Sequence, residues 1–220
     1  MRVKKVLVIG ASSYLSQSLA SKLDHCDVSF IGRKTPEKLN ALNLSSEYIK
    51  ETISLNKDIY IFNLGLIQPK TIFEQSSEEI ERSMRINLLF VVKCSEYILD
   101  NNSKAKVLII GSESGKKGSY DTTYFLAKAG LRAYVKERYL SSQYQQLLLF
   151  SPSTIGDSAM TLNRNDKERL NEYMLNHPKK RFLCNDELAT IMSQFIKDDF
   201  SYITNTEIEI NGGKFARMKY

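Results

Sequence analysis

The chain has 220 residues, 42% of them hydrophobic and 25% charged, and 31 Lys and Arg against 25 Asp and Glu leave a net charge of +6. That length suits one compact domain over residues 1–220 with a core of its own, and the composition excludes disordered, collagen-like and mucin-like chains. No run approaches the roughly 20 apolar residues of a membrane span, and the basic residues are scattered rather than gathered into a stripe, which argues against membrane and nucleic-acid partners.

In chain order, a buried strand is expected at Lys4–Ile9, followed by the turn Gly10-Ala11-Ser12-Ser13-Tyr14-Leu15 and a helix over Ser13–Leu23. A glycine at a strand end, then small polar residues and a helix start, can cradle a phosphate on free N–H groups. The same residues also suit an ordinary turn with Ser12 or Ser13 as helix cap. A second strand, Asp27–Ile31, runs into Gly32-Arg33-Lys34. At this place in a nucleotide fold an acid binds the ribose of NAD, whereas an arginine accommodates the 2′-phosphate of NADP. Arg33 and Lys34 therefore favour NADP(H) over NAD(H).

Short helical patterns follow at Pro36–Leu39 and Ser46–Leu55, with a weak strand at Leu42–Ser45 between them. Then come a strand at Ile59–Asn63, a long helix at Ser77–Asn101 and a strand at Lys106–Ile110 leading to Gly111-Ser112. The remainder reads as a helix at Thr122–Ser142, a strand at Gln146–Ser151, helices at Asn165–Asn176 and Asp186–Lys197, and a last strand at Glu207–Ile210. Strands separated by helices imply βαβ units, hence an α/β fold with a doubly wound parallel sheet and helices on both faces. Ligands in such sheets lie beyond the carboxyl ends of the strands.

Three distant cysteines, Cys26, Cys94 and Cys184, form no pairing pattern and suit a reducing cytoplasm. His25 and His177 have no ligand-like spacing, so neither a metal site nor a Ser-His-Asp triad is expected. Tyr124 and Lys128, in contrast, stand one helical turn apart on one face. An ammonium nearby favours phenolate, and such a tyrosine can exchange a proton with a substrate oxygen. YxxxK also occurs by chance on many helices. The preceding strand with Gly111 and Ser112 gives it weight, because Ser112 can hydrogen-bond the same oxygen.

These elements together resemble the short-chain dehydrogenase/reductases in their compact Rossmann-like form, from Lys4 to about Gly213. Gly10-Ala11-Ser12-Ser13 resembles the start of the cofactor turn, and Asn63-Leu64-Gly65 the end of an Asn-Asn-Ala-Gly motif. Asn87 falls where the family has a helix asparagine that holds a water relay, while Ser112, Tyr124 and Lys128 match the catalytic serine and YxxxK. Ser151-Pro152-Ser153-Thr154-Ile155 resembles the Pro-Gly segment that meets the nicotinamide, Arg181-Phe182 before Asp186-Glu187-Leu188-Ala189 the start of the late helix, and Ile210-Asn211-Gly212-Gly213 the terminal strand.

The resemblance implies an NADP(H)-dependent oxidoreductase that interconverts a small-molecule carbonyl and alcohol. Ser112 would position the oxygen and Tyr124 move its proton. Lys128 would bind the nicotinamide ribose and depress the tyrosine pKa, and Asn87 would hold a water reaching Lys128. Gly10, Ser12, Ser13, Tyr14, Leu15, Arg33, Lys34, Asn43, Asn63, Gly65, Pro152 and Ile155 would complete the cofactor site. Residues 155–185 would cover the substrate, and the helices at Ser77–Asn101 and Thr122–Ser142 would form a homodimer or homotetramer. Departures from the pattern are Tyr14 and Ser16 in place of small turn residues, Ser153 in place of glycine, Asp157 in place of a loop-capping threonine, and a shortened stretch between Arg33 and Asn63. A side chain at 14 crowds the pyrophosphate unless its φ is negative. These departures motivate a second reading, a catalytically silent NADP-binding or scaffold protein.

Overall fold

The computed structural model describes residues 2–198 and 200–216. Six strands form one parallel sheet in the order β2-β1-β3-β4-β5-β6. They are β1 (Lys5–Ile9), β2 (Asp27–Ile31), β3 (Ile59–Phe62), β4 (Lys106–Ile110), β5 (Gln146–Pro152) and β6 (Thr206–Ile210). Each central strand alternates its side chains between two apolar layers. Leu7, Ile9, Tyr60, Phe62, Val107, Ile109, Leu147 and Leu149 pack on one face. Val6, Val8, Ile59, Ile61, Leu108, Ile110, Leu148 and Phe150 pack on the other. Burial on both faces explains why these strands read as unbroken apolar runs.

The first layer is closed by α4 (Phe90–Asn101) and α6 (Thr122–Glu137), which contribute Phe90, Val91, Cys94, Ile98, Leu131 and Val135. The second is closed by α1 (Tyr14–Lys22) and α9 (Asn185–Lys197) through Leu15, Leu19, Leu188, Ala189, Met192 and Ile196. Shorter helices are α2 (Ser46–Thr52), α3 (Ser77–Met84), α5 (Ser114–Lys117), α7 (Ala159–Leu162) and α8 (Lys167–Asn176). A capping box of Ser76 and Glu79 starts α3. Between α3 and α4, Arg85–Leu89 forms a single π turn that keeps the two helices continuous.

β1 pairs with β2 on one side and β3 on the other, with Ile9 opposite both Ile31 and Phe62. Chain direction around the sheet reverses there, so the crevice lies beyond Ile9, Ile31 and Phe62.

The stretch between Arg33 and Asn63 differs from expectation. Pro36–Leu39 is not helical: Thr35 folds back on Gly32, and Leu39 N–H donates to Gly32 C=O at 3.0 Å. The expected strand at Leu42–Ser45 is absent, because these residues hang on α4 and the turn before it through Arg85 to Leu42 C=O and Lys93 to Leu44 C=O. β2 is therefore an edge strand. The helix from Thr122 ends at Glu137 rather than Ser142, where Asn205 Nδ2 donates to Val135 C=O and Arg138 C=O.

Candidate active site

At the first turn, Gly10 has φ +113°, and a Cβ there would stand 2.1 Å from Asn63 O. Only glycine fits both the conformation and the closeness of β3. Ser13 caps α1, its Oγ accepting from Ser16 N at 3.0 Å. The Ser16 hydroxyl donates to Gly10 C=O at 2.9 Å, and Asn63 Nδ2 reaches both Ser13 Oγ and Ser16 Oγ. Ser16 thus replaces a packing glycine with a buried knot that ties the turn to the end of β3. The N–H groups of Ser12, Ser13, Tyr14 and Leu15 engage no partner among the described residues. They are the orphan donors of a helix start, and they suit a phosphate.

Tyr14 has a negative φ and an exposed side chain, so position 14 needs no glycine. Leu15 sends its side chain into the core, leaving only its backbone for a ligand. Arg33 and Lys34 project from the end of β2 as exposed cations without an ion-pair partner among the described residues. Gly32 carries no acid to compete with them. Asn43 spends its Oδ1 on the N–H of Ser45 in its own loop. The residues present fit a dinucleotide whose phosphates meet the α1 amides and whose ribose end meets Arg33 and Lys34.

The catalytic candidates meet at the end of β4. Asp121 caps α6, which turns Tyr124 and Lys128 inward; both are buried, at 8% and 2% exposure. The Ser112 hydroxyl accepts from Ser114 N at 3.1 Å and lies near the Tyr124 phenol. Lys128 Nζ lies 5.7 Å from the Tyr124 ring centroid and donates to Ile110 C=O at 2.8 Å and Leu64 C=O at 3.3 Å. Burial without a carboxylate partner lowers the Lys128 pKa to about 8.

The expected depression of the Tyr124 pKa is not found. Burial raises it above the ordinary phenol range, Ser112 opposes this by hydrogen bonding, and the Asp121 charge adds to the rise. The Lys128 ammonium is engaged by the carbonyls of Ile110 and Leu64.

Asn87 sits in the π turn with no exposed surface. Its amide pairs with the backbone of Leu66 in both directions at 2.8 Å, and Nδ2 also donates to Ser83 Oγ. Lys128 and Asn87 thus hold the chain leaving β3 at alternate residues, around Gly65. The Pro152 carbonyl accepts from Glu113 N, and Ile155 bridges to Leu183. Asp157 takes over a capping task, its Oδ1 accepting from Asn185 N at the start of α9. In the same segment, Met160 rests its Cε over Gly65, 2.8 Å from where a Cβ would be.

Sequence reasoning missed the knot at Ser16, the Met160 contact and the role of Leu66, none of which has a local signal. Asp121 had one, as a capping residue before a helix. Among the described residues no acidic, His or Cys cluster could hold a metal.

Comparisons with known proteins agree with this fold. A family model described as enoyl-(acyl carrier protein) reductase matches residues 15–214. The 3-oxoacyl-[acyl-carrier-protein] reductase FabG of Buchnera aphidicola subsp. Baizongia pistaciae is 26% identical over 243 residues, covering 96% of this chain and 98% of that protein. Among solved structures, a short-chain dehydrogenase/reductase of the glucose/ribitol dehydrogenase type from Brucella melitensis superposes with a TM-score of 0.83 at 21% identity, covering 96% of each chain. An actinorhodin polyketide ketoreductase with NADPH superposes with a TM-score of 0.84 at 16% identity, covering 97% of this chain and 98% of that one. With its parallel sheet, the glycine turn after β1 and the cluster of Ser112, Tyr124 and Lys128, the chain belongs to the short-chain dehydrogenase/reductases, NAD(P)-dependent oxidoreductases that interconvert carbonyls and alcohols.

Proposed function

We propose that this protein is an NADP(H)-preferring reductase in which Ser112 holds the substrate carbonyl oxygen and Tyr124 delivers its proton. The burial of Tyr124 with Lys128, its Nζ 5.7 Å from the phenol ring and without a carboxylate partner, at the end of β4 that leads to Ser112, carries this reading. A bound nicotinamide dinucleotide supplies the hydride for the substrate carbon. The protein's own share is to bind, orient and protonate. The amides from Ser12 to Leu15 receive the pyrophosphate, and Arg33 with Lys34 the 2′-phosphate. Asn43 lies towards the adenine end, while Asn63, Gly65, Pro152 and Ile155 line the path to the nicotinamide. Lys128 offers its ammonium to the ribose hydroxyls. Asn87 fixes the Leu66 backbone beside Lys128, where a water could link that lysine to solvent. Because burial raises the Tyr124 pKa, the phenol keeps its proton at neutral pH and is ready as a general acid.

The curated relative is named for a 3-oxoacyl substrate, and we extend that class to this chain: a 3-oxoacyl thioester covered by residues 155–185, with Met160 over Gly65. Leu89 and Leu126, exposed beside and on the long helices α4 and α6, mark the face of a homodimer or homotetramer. Among the described residues no helix is long and apolar enough to cross a membrane, and three free cysteines suit the cytoplasm.

The test is turnover of NADPH with acetoacetyl-CoA, a short 3-oxoacyl thioester, by the wild type and Tyr124→Phe. The variant should lose ~100-fold or more in kcat while binding NADPH as before. Equal turnover removes Tyr124 from the acid role. A wild type that binds NADPH but reduces no thioester, ketone or aldehyde favours the scaffold reading.

A further inference from the structure

Ser112, Tyr124, Lys128 and Asn87 leave one charged group at the site without a task. Asp121 is 1% exposed and has no ion-pair partner among the described residues. Its charge is met by neutral donors alone. Oδ1 accepts from Tyr124 N at 3.0 Å, Thr123 Oγ1 at 2.8 Å and Gln75 Nε2 at 3.1 Å, and Oδ2 accepts from Gln68 N at 2.6 Å.

A helix cap needs one side-chain oxygen, which serine supplies as well. Burying a carboxylate without a cation is costly, so capping alone does not account for it. The second oxygen does something a cap does not. Gln68 lies 53 residues upstream, in the loop that leaves β3 and carries Gly65. That loop is gripped at every second residue: Lys128 holds Leu64 C=O, Asn87 holds both backbone groups of Leu66, and Asp121 holds Gln68 N–H. Gln75 braces the last grip, with Nε2 also on Lys70 C=O and Oε1 2.7 Å from Thr123 Oγ1, whose single proton is shared between Gln75 and Asp121.

We propose that Asp121 is a positioning residue that locks the loop after β3 to the first turn of α6, so that Gly65 and Tyr124 keep one geometry. An asparagine would not serve, since its NH2 group would face one of the backbone N–H donors. The helix dipole favours a carboxylate over a neutral group here. The proposal rests on the assignment of Tyr124 as acid only for its kinetic consequence; the lock itself is independent of function.

Asp121→Ser separates the two roles, because its Oγ can still cap α6 at Tyr124 N but cannot reach Gln68 as well. Hydrogen–deuterium exchange on the full chain should show the Gln68 amide exchanging ~10-fold faster or more, with amides from Leu126 onward still protected. Turnover with NADPH and acetoacetyl-CoA should fall ~10–100-fold in kcat, while the NADPH dissociation constant stays within about twofold, because small displacement of a reacting group is costly and the cofactor's phosphates are held elsewhere. Unchanged Gln68 protection in the serine variant overturns the lock. Faster exchange with unaltered kcat overturns its catalytic consequence. An inactive wild type refutes the reductase reading, yet the exchange measurement still decides the lock. If the serine variant fails to fold, Gln75→Ala removes the brace and should give the same pattern more weakly; an unchanged Gln68 amide there overturns the proposal.

Discussion

Lys128 carries its ammonium where the fold provides two carbonyls and no carboxylate. Its pKa falls from 10.5 to about 8 through burial, a difference of about 3 kcal/mol between charged and neutral forms. The sign follows from proton counting. Between pH 8 and 10.5 the unfolded chain binds the proton and the folded chain does not, so this residue's contribution to stability rises with pH. Below pH 8 both states are protonated and the burial cost is fully present. Lys128→Met removes that cost at the expense of two unpaired carbonyls. Its stability relative to the wild type should be greatest near about pH 7 and decline by up to about 3 kcal/mol by about pH 10, as read from urea titrations at both values. Parallel curves would show that Lys128 does not titrate in this window. Tyr124 sits on the opposite side of the same balance, held protonated by burial and by Asp121. Burial thus acts on the pair in opposite senses, keeping the phenol protonated and easing the discharge of the ammonium.

The π turn at Arg85–Leu89 turns Asn87 inward, and such turns recur at functional sites. Replacing Asn87 with alanine leaves the N–H and C=O of Leu66 without their partners. It should cost about 1–3 kcal/mol in a urea titration, because two part-buried polar groups lose their partners. A loss under ~0.5 kcal/mol would mean water replaces the amide. At this scale the sequence was legible where local chemistry decides. Val107-Leu108-Ile109-Ile110 reads as a strand because both faces are buried, and of the two candidate caps Ser12 and Ser13 it is Ser13 whose hydroxyl serves a free N–H. The π turn was not legible: Met84 to Leu89 continues the apolar pattern, and the extra residue in the turn accompanies the attachment of Asn87 to a loop 21 residues away. Pro36–Leu39 misled for a similar reason, since the backbone of Gly32 captures Thr35 and Leu39 before a helix can form. That Tyr124 and Lys128 share one face of α6 was readable from spacing, but the direction of the tyrosine pKa was not. Its direction depends on burial, Ser112 and Asp121 together rather than on the lysine four residues on.

At the scale of the whole molecule, both apolar layers share one sheet, and the proposed cofactor site joins the ends of β1, β2, β3 and β4. Binding there should stabilise the entire domain. NADPH at about 100 times its dissociation constant contributes about 2.7 kcal/mol, or ~5–10 °C in Tm for a chain of this size. Arg33→Ala should shrink the shift with NADPH and leave that with NADH unchanged; an equal loss for both counts against a 2′-phosphate contact. The parallel sheet also has a consequence for how the chain folds. Every pairing joins distant segments, and among the described residues no hairpin exists to nucleate it. The shortest closure brings Lys5 to Asp27, whereas the others bring Val6 to Ile59, Ile59 to Lys106, Lys106 to Gln146 and Leu148 to Thr206. Loop closure costs only about 0.6 kcal/mol more for each doubling of length, so the preference is modest, but it favours β1, α1 and β2 as the earliest unit. The turn proposed to receive the phosphates is then built first, and the cluster of Ser112, Tyr124 and Lys128 can assemble only once β4 and α6 have docked against it.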